Sequence, residues 1–457
     1  MPTTRNSGQT PSAMADAAGH TRSTDGHRGG HDLRPGSVLA SRGAPDGATL
    51  EVVLRAAPQR SAGGMIMSAR LIVCCDGTWN FADQPSKTNV AKVALSVRAG
   101  FAAGKEQRVY YHSGVGTHRR ERLRGGAFGV GLSQNIVDAY RFLVETYEPD
   151  DELFLFGFSR GAFTVRSLAG LIRNSGILRR DHADRIPDAW ALYRDRIEQP
   201  NGAAATLFRR SYAHETDIGF VGVWDTVGAL GIPAPSTAWL QPAARRFNRR
   251  WAFHNTELSS RIKAAFHALA ADEQRSAFRP ALWHQHPEAA AQGQELKQVW
   301  FAGVHSDVGG GYEETGLSDI ALLWMVDHAR RHGLEFDSEA LSTTGPQVMR
   351  PEESTAFRVR PDGAGPLHAS RTGMYRLSTP LHRPLGQAVN DNGEPDGNEF
   401  LAVPAKERYD RDTGYRPPEL ERYLGRQDRV RLEPVLIPGV LPGLPPMHPL
   451  RPGSLSK

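Results

Sequence analysis

Leu153-Phe154-Leu155-Phe156-Gly157-Phe158-Ser159-Arg160-Gly161-Ala162 is the stretch on which the fold turns. Four consecutive apolar residues bounded by glycine read as a strand buried on both faces. From Ala162 to Ile172 the spacing turns helical, with Phe163, Val165, Leu168, Ala169 and Ile172 apolar. Between strand and helix stands G-x-S-x-G, whose glycines permit a turn sharp enough to lift the serine oxygen above a sheet. That backbone directs the amide of Arg160, and the N-terminus of the following helix, at negative charge developing on a substrate oxygen. The plainer alternative is a glycine-lined turn carrying an incidental serine.

Outward from this turn the chain alternates. Leu71–Cys75, Val109–His112, Ile218–Trp224 and Gln298–Val304 read as strands, and Leu132–Tyr147 and Ser318–His332 as helices. Ser133 is the expected N-cap of the first of these helices, and Pro149 lies beyond its end. His267–Phe278 (HALAADEQRSAF) is expected to form part of a helix and its exit, with Asp272, Glu273 and Arg275 in a structural polar network. Apolar strands alternating with amphipathic helices predict an α/β fold with a mostly parallel central sheet covered on both faces. In such sheets functional groups collect where strands end at the carboxyl edge.

A serine nucleophile needs a base within hydrogen-bond reach and a carboxylate to orient that base. Ile218–Trp224 ends at Asp225, and Gln298–Val304 ends at His305 before the glycine loop 309–311, so both fall at the correct edge. His254, His267, His284 and His286 compete for the role of base. Asp307 is a second carboxylate able to orient His305. After the first strand comes Asp76-Gly77-Thr78-Trp79-Asn80, where the amide of Gly77 or Thr78 is the expected second oxyanion donor. This loop also resembles the D-x-D-G-T motif of haloacid-dehalogenase phosphatases, but Cys74 stands where their nucleophilic aspartate belongs. A metal phosphoesterase built from Asp76, Asp225, His305 and Asp307 is a further alternative, which leaves the serine turn unexplained.

The chain has 457 residues, a formal net charge of +5, and 39% hydrophobic residues, which excludes a disulfide scaffold, a collagen and a wholly disordered chain. The charge bias is too mild to imply nucleic acid. The cysteines, Cys74 and Cys75, are adjacent and suit packing in a reducing compartment. Residues 1–68 read as a disordered leader in which only Leu50–Leu54 has strand character, and Met67 is the expected true start, with Met1 and Met65 the alternatives. The catalytic body is expected at 69–430, and 431–457 is a tail with seven prolines between Pro434 and Pro452. Residues 231–260, mixing Trp, Phe, Pro and Arg, read as a lid or a packed cap. Arg119, Arg120, Arg122 and Arg124 form a basic loop, either solvated or attracting anionic headgroups. No run of about 20 apolar residues is present. The expected location is the cytoplasm of the producing cell, with export by a signal-less route the alternative.

The segments LIVCCDGTWN, YHSGVGT, GFSRGAF, VGVWDTVGALG, HALAADEQRSAF and VWFAGVHSDVGGGY occur in this order between residues 71 and 312, and RYDRDTGYRPPEL follows near 408–420. Together they resemble the catalytic domain of the phospholipase effectors of bacterial type VI secretion. The resemblance implies an α/β-hydrolase fold and a serine esterase acting on lipid acyl esters, with Ser159 as nucleophile, Asp225 as acid and His305 as base. It implies a lipid or small ester as substrate, compatible with peripheral membrane contact, and leaves any secretion or immunity partner unspecified. Such chemistry requires neither a metal nor an organic cofactor. A non-catalytic lipid- or protein-binding module on the same fold is the remaining alternative.

Overall fold

Ala69–Cys75 (β2) shows why this sheet forms. Every residue is buried, and side chains alternate between two cores: Leu71, Val73 and Cys75 on one face, Ile72 and Cys74 on the other. Glu152–Phe158 (β5) repeats the pattern, with Leu153 and Leu155 opposite Phe154, Phe156 and Phe158. Strands apolar on both faces need cover on both, which parallel crossovers supply. The cysteines are therefore packing residues, and burial pushes both thiols well up from their ordinary range.

The computed structural model describes residues 51–54, 68–77, 86–98, 100–102, 104–114, 127–195, 197–227, 257–343, 357–377, 379–389 and 397–437, all within the unit Ser37–Lys457. The arginine cluster 119–124, Thr78, His254, most of the expected lid and the end of the proline-rich tail lie outside these residues.

Along the sheet the other strands are Glu51–Leu54 (β1), Gly100–Ala102 (β3), Lys105–His112 (β4), Phe220–Trp224 (β8), Ala264–Ala270 (β9), Glu295–Phe301 (β10), Glu399–Ala402 (β11) and Leu432–Glu433 (β12); Ile177–Leu178 (β6) and Ala213–His214 (β7) form a separate pair. The order is β1-β4-β2-β5-β8-β9-β10-β11-β12, with β3 also on β4. From β4 to β12 all neighbours are parallel; β1 and β3 run antiparallel to β4. The fold is thus the expected mostly parallel α/β sheet. Its end strands include Glu51–Leu54, from the segment read as leader, and Leu432–Glu433, from the start of the segment read as tail.

Helices cover both faces. Ala127–Thr146 (α2) and Arg160–Ser175 (α3) contribute to the core that holds Leu71 and Leu153, as Tyr140, Leu143, Val165 and Leu168. Asn89–Ser96 (α1) and Gly316–Arg331 (α5, after a short helix α4 at His305–Gly309) contribute to the other core. Lys92 of α1 and Asp319 of α5 form a fully buried ion pair at 2.5 Å. α2 begins six residues ahead of Ser133, which lies inside the helix and is not its N-cap.

One expected element is wrong. The segment read as helical at His267 is β9, parallel to both β8 and β10. Its alanines favour a helix locally, but in the sheet their small side chains let covering elements approach both faces. Phe266 stacks on His328 of α5 with ring centroids 4.2 Å apart. Tertiary packing overrides propensity here.

The topology also marks where a site belongs. After β2 the chain crosses one way, to β4; after β5 it crosses the other way, to β8. The crevice between the carboxyl ends of β2 and β5 is therefore a topological switch point.

Candidate active site

Ser159 stands at that crevice, directly after β5. Its backbone is left-handed, φ 57° and ψ −117°, a strained conformation for a residue with a Cβ. Its amide donates to the Trp224 carbonyl at 3.0 Å, tying the turn to β8. The flanking glycines are required by close approach. A Cβ on Gly161 would lie 2.0 Å from the Cys75 carbonyl oxygen, and one on Gly157 would lie 2.6 Å from the Gly161 carbonyl oxygen. Gly161→Ala should therefore displace α3 from β2 and destabilise the fold by about 2 kcal/mol or more. Urea unfolding measures this; an unchanged midpoint would contradict the packing described.

Asp225 follows β8 and is fully buried, also with a positive φ of 40°. Oδ1 accepts from the Ala270 amide at 3.0 Å and from Arg383 Nη1 at 2.6 Å. Oδ2 accepts from Arg383 Nη2 at 3.0 Å and lies 2.5 Å from His305 Nδ1. Burial alone would raise this carboxyl; the Arg383 charge and the His305 hydrogen bond outweigh it and hold the group well below the usual carboxylate range.

His305 opens α4 beyond the end of β10 and is 5% exposed. Its ring lies between Phe158, the residue before the serine, at 4.6 Å, and Phe278 at 4.8 Å between centroids. Its amide donates to Glu273 Oε2 at 3.3 Å. Gly309, at the end of α4, permits this approach: a Cβ there would lie 1.9 Å from the Phe158 ring. Nδ1 faces Asp225, which leaves Nε2 as the nitrogen for another partner.

The remaining expected residues have other partners. Asp307 does not meet His305 through its carboxylate. Its Oδ1 lies 2.6 Å from His368 Nδ1, and Oδ2 accepts from the amides of Val304 and His368. Geometry dictates this, because Asp307 serves the N-terminus of the helix that His305 itself begins. Asp76 is buried; Oδ2 takes Thr88 Oγ1 at 2.5 Å and Tyr111 OH at 2.7 Å, and Oδ1 takes the Gly77 amide at 2.6 Å. The Gly77 N–H expected at an oxyanion is thus already committed to its neighbour's carboxylate. Asp76, Asp225 and Asp307 face three different sets of partners. Among the described residues no three His, Cys, Asp or Glu side chains are grouped as metal ligands.

His267 is not a rival base. It is fully buried on β9, Nε2 accepts the Thr226 amide at 3.1 Å, and burial lowers its pKa to about 3. It supports the backbone beside Asp225. Glu273 and Arg275 form the expected structural ion pair, at 2.8 Å. Arg160 begins α3, and burial lowers its guanidinium to about 10.

Sequence reasoning missed Arg383. It lies 158 residues beyond Asp225, in no motif, and is 1% exposed. Two further bonds, to the carbonyls of Ala270 (2.7 Å) and Phe278 (2.5 Å), fix its guanidinium.

A strained serine turn at the switch point of a parallel sheet, with the histidine of a histidine–aspartate pair packed on the residue before that serine, places the fold among the α/β-hydrolases. Residues 69–328 match the family described as T6SS, Phospholipase effector Tle1-like, catalytic domain, and the chain belongs to that family. It is similar to an uncharacterized protein of Saccharomyces cerevisiae, 31% identical over 234 residues, which are 46% of this chain and 32% of the yeast protein. Among solved structures it is similar to an uncharacterized protein from Pseudomonas aeruginosa (19% identity, TM-score 0.38, covering 65% of this chain and 49% of that one). Another is the Tle1 effector bound to the VgrG spike of the type 6 secretion system (17% identity, TM-score 0.33, covering 62% and 57%). The chain thus spans about a third of the yeast protein and about half of these two structures.

Proposed function

We propose that the protein is a serine hydrolase that cleaves carboxylic esters, with lipid acyl esters as its substrates. The observation that carries this reading is the His305–Asp225 bond at 2.5 Å, with the His305 ring packed on Phe158, the residue before a Ser159 held in a strained turn. Family membership supports the lipid part. In this reading His305 Nε2 takes the Ser159 proton as Oγ attacks the ester carbonyl. Asp225 keeps the tautomer that leaves Nε2 basic and stabilises the imidazolium. The Arg160 amide holds the oxyanion, with the second donor falling to Thr78 now that Gly77 is engaged. The leaving alcohol takes the proton from His305, and water then cleaves the acyl-enzyme by the same route.

The test is a series of p-nitrophenyl esters of rising chain length, run beside phospholipid vesicles. We expect turnover to rise with acyl length and fatty acid to be released from vesicles. Preference for short soluble esters, with no release from vesicles, would contradict the lipid assignment.

A further inference from the structure

Residues 357–389 follow the end of the family match at 328, yet their described parts touch the loops that carry Asp225 and His305. The His368 ring and amide bind Asp307 on the base helix. Ser370 Oγ accepts from the Gln274 amide, and the Leu381 amide donates to the Gln274 carbonyl, on the loop that presents Glu273 to His305. Arg383 then reaches Asp225. The segment acts as a strap across the acid and base loops, and Arg383 is its innermost contact.

We propose that Arg383 is a positioning residue of this site, one that clamps both oxygens of Asp225 and by its charge keeps the His305–Asp225 pair unprotonated to lower pH. This rests on the Ser–His–Asp reading above. Two guanidinium nitrogens on the two carboxylate oxygens fix the plane of the carboxylate, and so the direction of Oδ2 toward Nδ1. Backbone amides alone would not suffice: among the described residues, Ala270 N is the one amide hydrogen-bonded to this carboxylate.

A proton taken up by the His305–Asp225 pair adds positive charge a few ångströms from a buried guanidinium. Removing that guanidinium makes the pair hold its proton more tightly, whichever of the two side chains carries it. The other charged or titratable groups around the pair are Glu273 at the His305 amide, Arg275 paired with Glu273, Asp307 two residues on in the same helix, paired with His368, and His267 of β9 near Asp225, which burial keeps neutral. Phe158 and Phe278 flank the ring and carry no charge. None of these changes in an Arg383 variant.

The experiment uses the full chain with Arg383→Gln and Arg383→Lys. Two quantities are read: the pH titration of the His305–Asp225 proton by its low-field NMR resonance, and the acidic limb of kcat/KM on a p-nitrophenyl ester. In Arg383→Gln both should move up by about one to two pH units, with kcat falling about a hundredfold. Arg383→Lys keeps the charge but grips one oxygen. Its limb should stay where the wild-type limb lies while kcat falls about tenfold. A folded Gln variant with reduced kcat and an unmoved titration would show a merely structural arginine and overturn the proposal. Should the Gln variant fail to fold, the Lys variant decides: a limb displaced upward by a unit, or an unchanged kcat, overturns it. The NMR titration needs no turnover. A wild-type protein without esterase activity but with the shift in Arg383→Gln would sink the ester reading and keep this one. An active enzyme with an unmoved titration would do the reverse.

Discussion

Ser159→Ala should lower ester turnover by about a million-fold, to the level left by binding and oxyanion contacts alone. The replacement is nearly silent for the fold. Alanine keeps a Cβ, so the strain at φ 57° is the same in both proteins, and the amide bond to the Trp224 carbonyl is untouched. The melting temperature should therefore stay close to that of wild type while kcat collapses. Steady-state kinetics and a thermal melt on the same preparation check both halves. Loss of activity together with unfolding would leave no evidence for a nucleophile, and retained activity would exclude one at this position.

Asp225→Asn should lower kcat by about ten-thousand-fold and, unlike the serine variant, destabilise the fold as well. Asp225 makes two kinds of demand on its oxygens. Oδ1 receives Ala270 N and Arg383, while Oδ2 receives Arg383 and faces the His305 ring. An asparagine has one acceptor oxygen. If that oxygen faces Arg383 and Ala270, the amide nitrogen donates to His305 Nδ1, which forces the proton onto Nε2 and removes the base. If it faces His305, the amide opposes a buried guanidinium. Either way Arg383 loses its counter-charge, at a cost of about 3–5 kcal/mol. A variant within tenfold of wild-type kcat would remove Asp225 from the mechanism. The same bonds set an acid limit. The carboxyl is held below its unfolded value, so its contribution to stability is complete above about pH 4. It is lost as pH falls through the lower folded value.

The parts of this account that were legible in the sequence are those encoded locally. A strand such as Leu153–Phe156, a two-glycine turn and a helical repeat all lie within about 20 residues of one another, and the structure forms them in place. Asp225 and His305 were legible because each closes an apolar run, and parallel strands end together at one edge. What could not be read depends on packing between distant segments. The start of His267–Phe278 looks helical until β8 and β10 are known to flank it. Arg383 looks like any surface arginine until the strap that carries it is seen to cross the acid loop. The commitment of the Gly77 amide to Asp76 is a matter of side-chain rotation, which spacing does not specify.

The most direct measurement is the site of reaction with a fluorophosphonate, mapped by mass spectrometry of proteolytic fragments. The account predicts one adduct per chain, on Ser159, formed quickly in the wild type and not formed in His305→Ala on the same timescale. Esterase activity in a protein that takes up no fluorophosphonate, or an adduct on a residue other than Ser159, would contradict it.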